Sequence, residues 1–256
     1  MENRVYFITD AHLCGDSASR EREAELCRLL DRVKEEAATL VLLGDIFDFW
    51  FTYRHVVPRG YVRLLGKLAE LSDQGISIHY FVGNHDMWLF DYLEKEIGIT
   101  MHDEPTEMSF GGRRFLIGHG DGLGHLDRHY DLLRWVFRNR FNQWLFSTLP
   151  EWMTFGVATR WSSNSKKHHK KEDLQYLGDE REGIVLYCKE KMTEHDIDFC
   201  VFGHRHTPVE RELTVQRADG TTTHSHYVNV GDWLIHRNYA VFSDGQLSLH
   251  DNSVKS

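Results

Sequence analysis

ISIHYFVGNHD, residues 76–86, is a strand pattern from Ile76 to Val82 that stops at Gly83 and gives way at once to Asn84, His85 and Asp86. The same arrangement recurs on both sides of it. Toward the N-terminus, RVYFIT (4–9) leads into Asp10-Ala11-His12, and LVLL (40–43) leads into Gly44-Asp45-Ile46-Phe47-Asp48. Toward the C-terminus, apolar runs deliver Gly118-His119-Gly120-Asp121 and Gly203-His204-Arg205-His206. In all but the first, a Gly stands just before the candidate ligand. A strand ending at Gly can turn sharply and aim the next side chain over the end of a sheet. Five such ends are expected to converge on one patch able to hold two metal ions.

The chemistry of the five clusters is consistent with that. Residues two apart on a strand end project to the same face, so Asp10 and His12 suit chelation of one ion. A carboxylate can bridge two cations, and Asp45 is placed to do so. Asn84 offers a neutral oxygen, and His119, His204 and His206 complete the set. Mixed nitrogen and oxygen ligands without a thiolate suit Mn²⁺ best, with Fe or Zn²⁺ also accommodated, rather than the all-oxygen cages of Mg²⁺ and Ca²⁺. His85 adjoins a ligand without being needed as one. It is expected to face substrate, as a charge stabiliser or general acid, with Asp48 orienting its imidazole.

Between the clusters the periodicity alternates. Ser19 to Ala38 and Tyr61 to Leu71 carry apolar residues at helical spacing, and Leu40 to Leu43 reads as a strand buried on both faces. This β-α-β-α-β opening implies a parallel sheet with right-handed crossovers. Near Met108 to Ile117 a Gly111-Gly112 turn predicts a hairpin, and Val209–Gln216, Thr222–Val230, Tyr239–Phe242 and Leu247–His250 read as antiparallel strands. No Pro/Ser-rich linker divides the 256 residues. The net charge of −9 disfavours nucleic acid as a partner, which calls for a basic footprint. The N-terminus runs straight into a strand without the pattern of a signal peptide, and four cysteines without CxxC spacing read as reduced, mostly buried thiols, pointing to the cytoplasm.

One segment does not belong to a compact sandwich. Residues 130–161 carry four of the seven tryptophans, Trp135, Trp144, Trp152 and Trp161, and residues 125–171 hold nine Arg and Lys against three acids, +6 in an acidic chain. Aromatic, apolar and cationic together suit a surface that meets anionic lipid. A helical hairpin packed on the main body with its charges solvated is the alternative. On the first view Trp135 lines an apolar groove, while Arg128, Arg134 and Arg138, at helical spacing, and the Lys166-Lys167 pair face phosphate.

The order D-x-H, GDxxD, GNHD, GH, GHxH resembles that of the calcineurin-like metallophosphoesterase superfamily, over most of the chain from Asp10 to His206. The resemblance implies a four-layer αββα sandwich spanning 1–256, and phosphoester hydrolysis by a metal-bridging hydroxide. It assigns one ion to Asp10, His12, Asp45 and His206 and the other to Asp45, Asn84, His119 and His204. GDIFDFW (44–50), His119-Gly120-Asp121 and the basic-aromatic insertion at 125–171 further resemble the UDP-2,3-diacylglucosamine pyrophosphatases of lipid A synthesis. That implies a nucleotide-lipid substrate, products UMP and 2,3-diacylglucosamine 1-phosphate, the insertion as a lid over acyl chains, and a peripheral position on the cytoplasmic face of the inner membrane. The pattern departs at two places, since many members of the best-known branch carry Arg where His85 stands and Glu where Asp48 stands. A soluble phosphoesterase acting on a nucleotide or another phosphoester is the alternative, and a scaffold that lost its metals is a third reading. The sequence does not specify an oligomeric state.

Overall fold

The structure, a computed structural model, describes residues 4–125, 128–150, 153–154, 156 and 176–252. Its frame is two sheets face to face. The first has strand order β11-β10-β1-β2-β3-β4, from β1 (Arg4–Ile8), β2 (Ala37–Leu42), β3 (Ser77–Phe81), β4 (Thr100–His102), β10 (Asn238–Ser243) and β11 (Gln246–Asp251). The second has the order β5-β6-β7-β9-β8, from β5 (Thr106–Phe110), β6 (Arg113–Gly118), β7 (Phe199–Phe202), β8 (Val209–Gln216) and β9 (Thr222–Asn229). Helices α1 (Ser17–Glu36), α2 (Val62–Asp73) and α3 (Tyr92–Ile97) connect β1 through β4, which are parallel. Helix α6 (Gly183–Glu194) precedes β7, and α4 (Arg128–Arg138) and α5 (Arg140–Ser147) follow β6.

Side-chain alternation produces the layers. Along β1, Val5 and Phe7 enter a core with Val41, Phe115, Val201 and Phe242 between the sheets. Tyr6 and Ile8 point the other way, onto Leu26, Leu30 and Val33 of α1 and Leu64 and Leu68 of α2. On β7, Phe199 and Val201 face the inter-sheet core, while Cys200 and Phe202 meet Ile184, Val185 and Cys188 of α6. Helices, sheet, sheet and helix give the expected αββα order.

The structure differs from the sequence expectations at several points. Helix α1 starts two residues earlier than its apolar periodicity, because the Asp16 side chain accepts from the Ser19 N–H at 2.6 Å and caps it. It ends at Glu36, since Ala37 already pairs with Arg4 in the sheet. Strand β9 is antiparallel to β8 yet parallel to β7, so it is a third parallel end beside β6 and β7 rather than a plain meander strand. Cys14 is exposed and Cys27 half-buried, and only Cys188 and Cys200 match the buried-thiol expectation.

Candidate metal centre

The C-terminal ends of β1, β2 and β3 in one sheet and β6 and β7 in the other open onto the same edge of the sandwich. Backbone hydrogen bonds stitch the ligand loops to each other there: Asp10 N to Gly44 O (3.1 Å), His12 N to Asp45 O (2.9 Å), Gly203 N to His119 O (2.9 Å) and Trp233 N to Asp10 O (3.1 Å). Of the glycines that precede the ligands, Gly44 turns with φ 89°, whereas elsewhere the ligands carry the turn themselves. Asp10, His12, Asp45, His204 and His206 themselves take φ between 43° and 69°, in the left-handed region where a side chain is strained. Gly83 and Gly203 have ordinary φ and are required for space. A Cβ at 83 would collide with the Asp45 carboxylate, and one at 203 with the Thr9 hydroxyl and Asp10.

The ligand atoms form adjoining groups. Asp10, His12 and His206 make one, with His12 Nε2 at 3.6 Å and His206 Nε2 at 3.3 Å from Asp10 Oδ1. Asp45, His119 and His204 make another, with His119 Nε2 at 3.4 Å from Asp45 Oδ2 and at 3.3 Å from Asn84 Oδ1. Asp45 Oδ2 also lies 3.8 Å from His12 Nε2, between the two groups. Ligand atoms about 2.0–2.2 Å from a common cation sit roughly 3–3.5 Å from each other, close to the separations seen here. Asp10 Oδ1 and His12 Nε2 are buried, lack a hydrogen-bond partner among the described residues, and face into the cluster, which suits a cation between them. The residues present therefore fit two ions, with Asp45 at the boundary.

Each of three histidines is held from behind through Nδ1, which leaves Nε2 for the site. His119 Nδ1 lies 2.7 Å from the Leu43 carbonyl, His12 Nδ1 3.2 Å from Asp48 Oδ1, and His206 Nδ1 3.5 Å from Asp232 Oδ2. Burial works against charge on His119, but Asp45 and Asp10 outweigh it and hold that imidazole well above its ordinary value. Burial and the neighbouring His119 push His204 down to about 4, keeping it neutral with a lone pair to offer. Burial raises Asp45, and His119, His85 and His12 together override it, leaving a carboxylate at the centre of the cluster.

The expectation that Asp48 orients His85 names no group for the contact, and the carboxylate is not the group nearest the imidazole. The Asp48 backbone N–H donates to Leu13 O at 2.9 Å, which sets the carboxylate beside His12, and it is the Asp48 carbonyl that lies 2.9 Å from His85 Nδ1. The carboxylate is 3.8 Å from that nitrogen. Arg134 and Arg138 do not present bare guanidiniums to phosphate or lipid. Both reach Glu104, at 3.1 and 2.6 Å, and Arg134 Nε lies 3.6 Å from Asp121, because Glu104 on the β4–β5 turn faces this side of α4. Trp135 is exposed. Arg128 lies on α4 with its side chain outside the described residues, as are Lys166 and Lys167.

Sequence reasoning passed over two carboxylates. Asp86 is fully buried. Its Oδ2 accepts from Ile46 N (3.0 Å) and the Tyr80 hydroxyl, and its Oδ1 accepts from Gly83 N (2.9 Å), so it joins the Asp45 and Asn84 loops. Burial first, and the charge of Asp45 second, raise it to about 7. Asp232 stands behind His206, and its signal was present: Gly231-Asp232 follows the apolar end of β9, a sixth copy of the repeated pattern.

Helices α4 and α5 sit on the ligand loops through aromatic contacts. Trp88 Nε1 donates to Phe137 O at 2.9 Å, and Phe146 packs on Trp88 and Phe51 with ring centroids 4.7 and 5.0 Å apart. Leu132, Trp135, Phe141, Trp144 and Leu145 remain exposed on the outside. A small cavity lined by His102, Glu104, His119, Asp121 and Arg134 reaches from a candidate ligand to α4, and an open groove continues along Glu104, Arg134, Trp135 and Arg138.

Residues 3–208 match the family model for calcineurin-like phosphoesterases. The chain is 36% identical over 266 residues to a protein of Porphyromonas gingivalis named UDP-2,3-diacylglucosamine hydrolase, covering 97% of each. It is 29% identical to a protein of the same name in Aeromonas salmonicida, over 98% of this chain and 94% of the relative. Among solved structures, it is similar to Yfce, a phosphoesterase from E. coli, at a TM-score of 0.47 and 16% identity over 99% of this chain and 95% of that one.

Proposed function

The chain belongs to the calcineurin-like phosphoesterase family and is a metal-dependent hydrolase, and from that premise we propose that it hydrolyses the pyrophosphate bond of UDP-2,3-diacylglucosamine, giving UMP and 2,3-diacylglucosamine 1-phosphate. The substrate class rests on one observation above all: a ligand cluster that fits two ions shares a small cavity, through His119 and Arg134, with a helical pair whose exposed face is aromatic and apolar. A diphosphate joined to two acyl chains needs both, and the full-length likeness to a UDP-2,3-diacylglucosamine hydrolase supports the same reading.

Asp10, His12, Asp45 and His206 hold one ion, and Asp45, Asn84, His119 and His204 the other. The nitrogen and oxygen donors favour Mn²⁺. When bound, the pair supplies positive charge to the phosphoryl oxygens and an acidified water. His85 acts from the chain itself. With Nδ1 fixed by the Asp48 carbonyl, its Nε2 is left to meet a phosphoryl or leaving oxygen, where it stabilises charge or delivers a proton.

Residues 125–171 act as a lid within the phosphoesterase domain. Trp135 and the groove beside it take the acyl chains, each buried CH₂ contributing about 0.8 kcal/mol. Arg128, Lys166 and Lys167 meet phosphate, while Arg134 and Arg138 brace α4 through Glu104 and line the groove. The exposed apolar side chains of α4 and α5, with Arg140, support peripheral contact with the cytoplasmic face of the inner membrane, and no helix among the described residues is long and apolar enough to cross a membrane.

The test is ³¹P NMR of the Mn²⁺-loaded protein with UDP-2,3-diacylglucosamine in mixed micelles beside unacylated UDP-glucosamine. UMP and a sugar 1-phosphate should arise from the diacylated substrate far faster. Equal turnover of the two would remove the lipid from the reading, and turnover unaffected by chelation would remove the metals.

A further inference from the structure

Asp232 has no place in the ligand set drawn from the sequence, yet its carboxylate is wholly buried at the edge of the cluster. Its Oδ1 accepts from the Ile235 and His236 N–H groups, both at 2.8 Å, and His236 Nδ1 lies 3.4 Å away. Its Oδ2 has no hydrogen-bond partner within normal distance among the described residues and faces His206 Nδ1 at 3.5 Å. The opposite nitrogen of that ring, Nε2, is 3.3 Å from Asp10 Oδ1. The loop carrying Asp232 is fixed at both ends: Trp233 N donates to Asp10 O at 3.1 Å, and Asn229 Nδ2 donates to Gly203 O at 2.5 Å. Asp232 thus arrives from β9, the third parallel end of the second sheet.

We infer that Asp232 is a positioning residue for the ion held by Asp10, His12 and His206: its Oδ2 accepts the Nδ1 proton of His206, fixes the tautomer that offers Nε2, and raises the basicity of that nitrogen. A carboxylate behind a metal-binding imidazole commonly changes metal affinity by about 10–100-fold. The inference rests on the two-ion reading given above, and it adds a residue that touches neither ion nor substrate.

Asp232→Asn separates this role from loop structure. The amide keeps an oxygen for the Ile235 and His236 N–H groups but can present NH₂ toward His206 Nδ1, a donor facing a donor. Metal-free full-length protein is titrated with Mn²⁺, followed by calorimetry and by electron paramagnetic resonance. The parent should take two Mn²⁺ per chain and show an exchange-coupled signal. A parent that takes fewer overturns the two-ion reading and this inference with it. With two ions in the parent, Asp232→Asn should bind one ion as before and the other 10–100-fold more weakly, losing the coupled signal at two equivalents. On a His206→Ala background it should cause no further fall. Parent-like affinity for both ions, or an equal further loss without His206, overturns the inference. Should Asp232→Asn not fold, ¹⁵N-histidine spectra of the Zn²⁺-loaded parent decide. His206 protonated at Nδ1 and bound through Nε2 upholds the role, and the reverse tautomer overturns it.

Discussion

At the residue scale, the site is built from side chains whose backbone is strained and glycines whose backbone is not. The left-handed φ of Asp10, His12, Asp45, His204 and His206 is held by hydrogen bonds between neighbouring loops, so each ligand depends on its neighbours. Gly83→Ala would push a methyl group into the Asp45 carboxylate. It should cost about 1–3 kcal/mol of stability, the usual penalty of overpacking, and release at least one ion, read by thermal unfolding and elemental analysis. His85 allows a sharper distinction. One of its nitrogens lies within 4.8 Å of ligand atoms of His12 and Asp45, so geometry alone would let it join the ligands. With Nδ1 on the Asp48 carbonyl it is instead expected to serve substrate. His85→Ala should retain two ions per chain while kcat falls about 10²–10⁴-fold, and loss of an ion on substitution would make it a ligand.

At the element scale, α4 and α5 and the β3–β4 edge carry separable behaviour. Trp135 and Trp144 are 65% and 60% exposed, so little packing is lost when they are replaced. Trp135→Ser with Trp144→Ser should leave the melting temperature and the hydrolysis of a small chromogenic phosphodiester nearly unchanged, and raise KM for the diacylated substrate. An equal loss on both substrates would make these helices structural core. On the sheet edge, His102 stacks on Phe81 with centroids 4.5 Å apart and sets Nε2 3.1 Å from His79 Nδ1. Burial lowers both imidazoles, and His102 lowers His79 further. The fold therefore favours their neutral forms. Their contribution is complete above the ordinary histidine value of 6.5 and declines as pH falls through the lowered values. Urea unfolding at about pH 7.5 and about pH 5.5 should show the parent losing more stability on acidification than His102→Gln.

At the scale of the whole molecule, two ions held as proposed would tie one sheet to the other, since Asp10, Asp45 and Asn84 follow strands of the first and His119, His204 and His206 strands of the second. Ions that bind only the folded chain stabilise it by mass action, about 2.7 kcal/mol per site at a hundred times Kd. Chelation should accordingly lower the melting temperature by several degrees, with the sandwich still folded by circular dichroism. An unchanged melting temperature would mean the sheets meet without help from metal. Much of this architecture was legible in the chain. The alternation of apolar runs with helical periodicity gave the parallel β-α-β opening, and a ligand after each run located the strand ends, because side-chain period and turn chemistry are local properties. What local pattern cannot carry is which distant group stands behind a ligand. Asp48 serves two histidines, its carboxylate standing behind His12 and its backbone carbonyl behind His85, a division that the backbone hydrogen bond to Leu13 helps set. Asp232 repeated the strand-Gly-Asp pattern, but only the parallel pairing of β9 with β7 brings it to His206. Arg134 and Arg138 read as phosphate-facing cations, and only the fold shows Glu104 set against both of them. Sequence alone determined the strand ends and the donor types they deliver. Tertiary structure decided the pairing of donors with their supports, because that depends on contacts between residues far apart in the chain.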